Sequence, residues 1–238
     1  MTAQIRLFPL NTVLFPGGTL NLHVFEPRYK QMIAECLNEG QAFGVCLIRE
    51  GDEAGDPQVD PHDVGTTAEI DDVTPLPFGR YYISTVGKRR FRIHGIVKRE
   101  PYLVCDVEYL DDEPPNDSSG LEDLKESLRA AFGEYVRLLV DLSGTKFALD
   151  LPEDPTQASY VVGGALQIAD AVKQRLLETG DTERRLRIEL EFLRRLLPQL
   201  RLLLERKQEP APQEHAEPLG GESRTEQEHY FGKFFSLN

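Results

Sequence analysis

Alternating apolar and polar residues indicate that the first half of the chain is rich in β-strands. In residues 19–24, TLNLHV, every second side chain is apolar, which is the period of a half-buried strand. Short β-prone runs follow, separated by glycine, proline or charged turns, at residues 43–48, 66–73, 80–86, 91–97 and 102–110. This spacing predicts a small barrel or sandwich within residues 1–117.

One helix interrupts these strands. In FEPRYKQMIAECLNEG, residues 25–40, Pro27 suits a first helical position, apolar side chains recur at helical spacing, and Gly40 provides a stop. We expect its apolar stripe to pack on the sheet.

Residues 118–208 show helical periodicity throughout. Ser119 and Glu122 fit a capping box, and the apolar stripe that follows extends to Leu139. Three further helices are predicted, one opened by Asp154 and Pro155, a short one ending at Gly180, and the longest in TERRLRIELEFLRRLLPQLRLLLERK. Pro198 is expected to kink or restart the longest helix. Together these segments predict a small bundle and an α+β fold class.

Residues 209–238 differ in composition from the rest of the chain. Proline, glycine and glutamate dominate up to residue 229, which predicts a disordered acidic linker. The linker precedes an aromatic cluster formed by Tyr230, Phe231, Phe234 and Phe235. Two interpretations stay open, a motif that docks on a partner or on its own chain, and a loosely packed extension.

Net charge narrows the classes of partner. The 238 residues hold 27 basic and 40 acidic side chains, a formal charge of −13, divided as −8, −1 and −4 among the three blocks. Such acidity disfavours nucleic acid and anionic membranes unless a local basic patch exists. No apolar run approaches the roughly 18 residues of a membrane span, and no secretory leader is expected. The three cysteines, Cys36, Cys46 and Cys105, have apolar neighbours and predict buried thiols in the cytoplasm.

Searches for catalytic motifs find no Walker A, GxSxG, HExxH, CxxC or GxGxxG pattern, so we predict a non-enzyme without cofactor or metal. The acidic run between Glu50 and Asp72 does not match a calcium loop and is interpreted as a solvated loop. The basic run KRRFR at residues 88–92 has two interpretations, an RNA or phosphate patch and a strand with one solvated face. The charge of its block favours the second.

Residues 8–32, FPLNTVLFPGGTLNLHVFEPRYKQM, resemble the N-terminal domain of Lon proteases, in a stand-alone form without the ATPase and peptidase modules. The similarity continues to about residue 205, through FGV at 43–45, residues 63–70 and 87–93, LPEDPTQASYVVGGALQI and KQRLLETGDTERRLRIELEFL. It implies a PUA-like β-barrel followed by a helical bundle, and a role in recognising substrate polypeptides. Within this frame, Arg90 and Phe91 are interpreted as residues that hold the barrel closed.

The leading hypothesis is a non-enzymatic polypeptide-binding or adaptor module. Its expected partners are unfolded or tagged polypeptides, together with an ATP-dependent protease or a chaperone. We expect the contact surface in the crease between barrel and bundle, near Phe15, Phe25, Tyr29 and Phe78. The aromatic tail is a second candidate occupant of that crease. The alternative hypothesis is an RNA-binding PUA-like domain, which rests on fold analogy.

Overall fold

The computed structural model describes residues 2–52, 58–115, 120–145 and 150–208. The predicted boundary between residues 117 and 118, the cap at Ser119 and the tail with its aromatic cluster lie outside the described residues. The α+β class is confirmed, with a seven-stranded sheet and five helices.

Five strands close into a barrel. β1 (Thr2–Leu10) pairs antiparallel with β7 (Leu103–Tyr109) and parallel with β3 (Phe43–Glu50). β5 (Val64–Leu76) and β6 (Arg80–Lys98) complete the ring in the order β1, β7, β6, β5, β3. β2 (Thr19–Val24) pairs only with β6, and the short β4 (Asp60–Pro61) pairs with β3. Of the two predicted architectures, the barrel is therefore correct and the sandwich is wrong.

Two of the predicted strands form a single strand in the structure. The runs at residues 80–86 and 91–97 belong to the 19-residue strand β6, which continues through the charged segment expected to form a turn. Both halves have partners, because β2 and β5 flank the first half while β5 and β7 flank the second. Continuous pairing satisfies the backbone and removes the need for a turn.

The first helix agrees with its prediction. α1 (Pro27–Glu39) begins at a proline and ends at Gly40, whose φ of 63° lets its N–H donate to the Cys36 carbonyl. The buried stripe of α1 includes Tyr29, whose ring stacks on Phe8 with 3.9 Å between centroids. This contact fixes the helix on the barrel core.

The helical half contains α2 (Leu121–Ser143), α3 (Pro155–Ala165), α4 (Asp170–Glu178) and α5 (Thr182–Gln208). Asp154 caps α3 as predicted, by accepting from the Gln157 N–H at 2.8 Å. The N-cap of α2 is Gly120, and the Ser119 of the predicted capping box lies outside the described residues.

Pro198 does not divide the last helix. α5 is continuous through it, so of the two expectations, a kink or a restart, the restart does not occur. Leu193 and Leu197, before the proline, are buried in the core shared with α2. Leu200 and Leu204, after it, are partly buried against the same core, so the turns on both sides are held by tertiary packing.

Candidate functional site

The barrel and the helices meet at a buried polar group of side chains. We call it the junction cluster, and it comprises Arg90, Asp112, Ser159, Tyr160, Arg185 and Glu189. Asp112, on the segment after β7, accepts from Arg90 at 2.9 Å, from Arg185 at 3.1 Å and from the Tyr160 hydroxyl at 2.6 Å. One carboxylate thus contacts two guanidinium groups that are almost fully buried, and its single negative charge offsets one of their two positive charges.

Arg90 acts on a different part of the fold from the one predicted. Its Nη1 donates to the Leu177 carbonyl at 2.8 Å, so it ties β6 to α4 instead of closing the barrel. Phe91, fully buried, lies inside the barrel among Ile5, Leu7 and Cys46, where the prediction placed it. The neighbouring residues point to opposite sides of the strand, one into each half of the molecule.

Glu189 is the second acidic member of the junction cluster. Ser159 accepts from the Arg185 Nε at 2.6 Å and donates to the Glu189 Oε1 at 2.8 Å. Burial raises the pKa of the Glu189 carboxyl well above its ordinary value, and the bond from Ser159 and the charge of Arg185 oppose this only in part. The cluster bonds within itself and to the Leu177 and Thr179 carbonyl oxygens, which connects the barrel to the helices, so we interpret it as a structural joint.

We expect Glu189→Gln to stabilise the chain in a pH-dependent way. With a raised folded pKa, the native carboxyl keeps its proton while the unfolded chain releases one above pH 4.5, so stability falls as pH rises through that range. Glutamine needs no proton and retains an acceptor for Ser159. The melting temperature should rise at pH 8 by about 2–4 °C, equivalent to roughly 1 kcal/mol, and the gain should disappear at pH 4. A gain of equal size at both pH values, measured by thermal circular dichroism, would contradict this.

Exposed aromatic side chains gather at the other end of β5 and β6, where the strands leave the barrel. We call this group the hairpin patch, and it comprises His23, Phe25, Phe78 and Tyr82. The His23 ring lies 4.8 Å from the Tyr82 ring and 5.4 Å from the Phe25 ring, measured between centroids. Phe25 and Tyr82 are each about half exposed. Lys30 of α1 reaches the Phe78 carbonyl at 3.4 Å, which holds the turn beside the start of that helix.

Phe78 is the most exposed member of the patch. It lies in the turn Pro77–Gly79 between β5 and β6, with 87% of its surface exposed and a φ of 64°. A bulky L-residue in the left-handed region costs about 1–2 kcal/mol. Its side-chain contact is a guanidinium, that of Arg80, 5.8 Å from the ring centroid. The fold therefore tolerates strain to present an aromatic ring to solvent.

The four aromatic residues predicted to form one surface are divided by the structure. Phe15 is buried at the junction, 6.2 Å from the Tyr160 ring, and Tyr29 is buried under α1. Phe25 and Phe78 lie in the hairpin patch and not in a crease. Of the four residues, only Phe25 and Phe78 are exposed to solvent. Their predicted location in the crease between barrel and bundle is wrong.

Sequence reasoning missed two members of the patch, His23 and Tyr82. The alternation of β2 already placed His23 on the outer face, but its direct pairing with Tyr82 depends on the β2–β6 register. That register joins segments about 60 residues apart, which no local pattern reveals.

The basic run at residues 88–92 is largely neutralised. Lys88 contacts Glu69 at 3.3 Å, Arg89 contacts Asp111 at 3.4 Å, and Arg90 contacts Asp112 at 2.9 Å. Arg89 also lies 4.5 Å from the Tyr109 ring centroid. These contacts favour the structural interpretation of the run over phosphate binding.

Other chemistry is limited in the described ranges. The three thiols are free and buried, and burial raises the pKa of Cys36 and Cys105 to about 11, which disfavours reactive thiolates. Across residues 2–52, 58–115, 120–145 and 150–208, no group of three or more His, Cys, Asp or Glu side chains could hold a metal ion. In the same segments, no helix has the length and apolar character to cross a bilayer.

The described residues thus form a closed barrel joined to helices, with exposed aromatic rings at one end of β5 and β6. Residues 4–195 match the family model described as the ATP-dependent protease La (LON) substrate-binding domain, and the chain belongs to that family.

Individual relatives agree with this assignment. Lon protease 2 of Myxococcus xanthus is 28% identical over 195 residues, which cover 80% of this chain and 23% of that protein. The chain therefore spans about a quarter of the length of this relative. The crystal structure of a Lon N-terminal domain protein from Xanthomonas campestris superposes with a TM-score of 0.60 at 28% identity, covering 79% of this chain and 98% of that one. The N-terminal domain of the Mycobacterium avium complex Lon protease shares the fold, with a TM-score of 0.56 at 19% identity, covering 80% of this chain and 98% of that one.

Proposed function

We propose that this chain is a non-enzymatic polypeptide-binding module that captures apolar segments of unfolded or tagged polypeptides on the hairpin patch. The observation that carries the proposal is Phe78, an exposed aromatic at a left-handed turn position that asparagine or glycine would adopt with less strain. Family membership supports it, because the matched domain is described as substrate-binding. Aromatic anchors are the side chains that most often supply binding energy at protein interfaces.

Strand β2 offers a binding mode for an extended segment. β2 pairs with β6 along one edge, and its other edge has no strand partner among the residues described. An added strand gains main-chain hydrogen bonds without regard to sequence, while side-chain pockets supply preference. A client on this edge would place alternate side chains beside His23 and Phe25. This mode suits a module that binds many different unfolded chains.

The adaptor role adds a second protein to the proposal, an ATP-dependent protease or a chaperone. In this role, captured polypeptides are passed to that second protein. Adding the chain to the Lon protease of its own cell should change the degradation rate of a fluorescent unfolded client. A degradation rate that does not depend on the added chain would contradict the adaptor role. It would not bear on polypeptide binding, which the Phe78 variant tests separately.

Replacing Phe78 with asparagine separates binding from stability. Asparagine accepts a φ of 64° more readily than phenylalanine, so the free energy of unfolding should rise by about 1 kcal/mol. Affinity for a fluorescein-labelled, reduced and carboxymethylated polypeptide should fall at least about ten-fold, measured by fluorescence anisotropy. Because the free energy of unfolding rises while the affinity falls, loss of folding is excluded as the cause of the lower affinity.

The matched control for this variant is Leu37→Asn. Leu37 is an exposed apolar residue on the last turn of α1, outside the hairpin patch, and its replacement should leave affinity unchanged. Equal affinity for the Phe78→Asn variant and the unmodified chain, or an equal loss for both variants, would overturn the proposed site.

A further inference from the structure

The C-terminal half of α5 carries apolar side chains beyond those it buries against α2. At 100° per residue, Phe192, Leu196, Leu200 and Leu203 form one stripe beside the buried stripe of Leu193 and Leu197. We call these four residues the α5 flank. The first three are partly buried at the margin of the helical core, and Leu203 is 48% exposed. The flank is thus an apolar edge open to solvent.

Charge along this half of α5 is net positive. Residues 191–208 hold five basic and two acidic side chains, in a protein whose total charge is −13. Two of the five basic side chains are paired, Arg195 with Glu191 at 3.6 Å and Arg201 with Glu134 at 2.6 Å. Arg194 and Arg206 are exposed, and Arg195 borders the Phe192 ring at 6.0 Å from its centroid. A partner for this surface should therefore combine apolar or aromatic side chains with negative charge.

The chain supplies such a partner directly after the helix. Residues 209–229 hold six acidic side chains and one basic side chain, and the aromatic cluster Tyr230, Phe231, Phe234 and Phe235 follows. By square-root scaling, a tether of 21 residues has a reach of about 25 Å. The tether starts after Gln208, and Phe192 at the far end of the flank lies 16 residues before Gln208, about 24 Å of helix. The aromatic cluster can therefore reach every residue of the flank.

We propose that the C-terminal aromatic cluster docks on the α5 flank of its own chain. The rings cover Leu196 and Leu203, and the acidic tether lies along the basic side chains that border them. A second copy of α5 is a poorer occupant, because it brings another five basic side chains against the first five. This inference concerns a surface separate from the hairpin patch and stands independently of the proposed function.

A single tryptophan tests the docking directly, because the chain contains none. In the full-length Phe231→Trp variant, emission should be blue-shifted relative to the same variant in urea. Leu203→Asp, which places a carboxylate in the apolar stripe and repels the tether, should return the emission to that of exposed tryptophan. The matched control is Leu202→Asp, since Leu202 is the neighbouring residue and 47% exposed but lies about 100° around the helix from Leu203.

Each remaining outcome overturns the proposal. Solvent-exposed emission in the Phe231→Trp variant means that the cluster is not docked. A blue shift that disappears on dilution, together with a dimer mass in sedimentation, assigns the flank to a second copy. A blue shift that survives Leu203→Asp but is lost on Phe78→Asn places the cluster on the hairpin patch. Circular dichroism of each variant, with Leu203→Ser as a milder substitution, verifies that the helices remain folded.

Discussion

Replacing Asp112 with asparagine should lower the free energy of unfolding by about 3–5 kcal/mol, the largest effect expected for a single side chain here. Asparagine preserves shape and one acceptor oxygen, so the change isolates the charge. Arg90 and Arg185 are 2% and 0% exposed at their side chains, and both direct a nitrogen at Asp112 Oδ1. Without that carboxylate, two buried cations remain in the junction cluster with no anion in contact.

The neighbouring residue provides the control for this experiment. Asp111 contacts Arg89 at 3.4 Å, but its side chain is 90% exposed against 20% for Asp112. An exposed ion pair contributes about 1 kcal/mol or less, so Asp111→Asn should be nearly neutral. Urea unfolding of both variants measures the difference. A loss below 1 kcal/mol for Asp112→Asn would show that the junction cluster contributes little to holding barrel and helices together.

Gly65→Ala should cost about 3 kcal/mol, the second large effect. A Cβ at this position in β5 would lie 2.3 Å from the Cys46 Sγ, 2.4 Å from the Val45 carbonyl oxygen and 2.8 Å from the Phe91 ring. The Val45 oxygen belongs to a strand of the closed barrel and has little freedom to move. The added methyl group therefore forces the barrel apart where β3 and β5 meet.

Gly95→Ala is the matched change in β6. A Cβ there meets no atom within 4 Å, and reduced freedom of the unfolded chain should leave stability unchanged or slightly higher. Thermal melts of the two variants should differ by roughly 6–12 °C, as about 3 kcal/mol implies for a domain of this size. Similar melting temperatures would mean that the barrel wall relaxes around the new methyl group.

Local signals were sufficient for α1 and for the start of α3. Pro27, Gly40 and Asp154 each act on backbone groups within a few residues, so their effects are visible in a short window of sequence. Pro198 shows the limit of such reasoning. Its local cost is real, but the buried leucines of α5 outweigh it through contacts with a helix more than 50 residues away.

The candidate surface was predictable only in part. Composition identified the aromatic residues, and two of the four predicted contact residues, Phe25 and Phe78, lie on the surface. Hydrophobic side chains look alike in sequence whether they fill a core or bind a partner, so Phe15 and Tyr29 could not be separated from them. The strain at Phe78 is a property of the turn and has no sequence signature of its own.

The sequence by itself determined the α+β composition, the helical second half, most of the strands, and, through its motifs, the resemblance to the Lon substrate-binding domain. These features depend on periodicity and on short spacings that act locally. The tertiary structure alone decided the closure of the barrel through β1 and β3, the role of Arg90 at the junction, and the separation of the hairpin patch from the buried aromatics. Each depends on contacts between distant segments, whose energies are set by burial and pairing that no local pattern records.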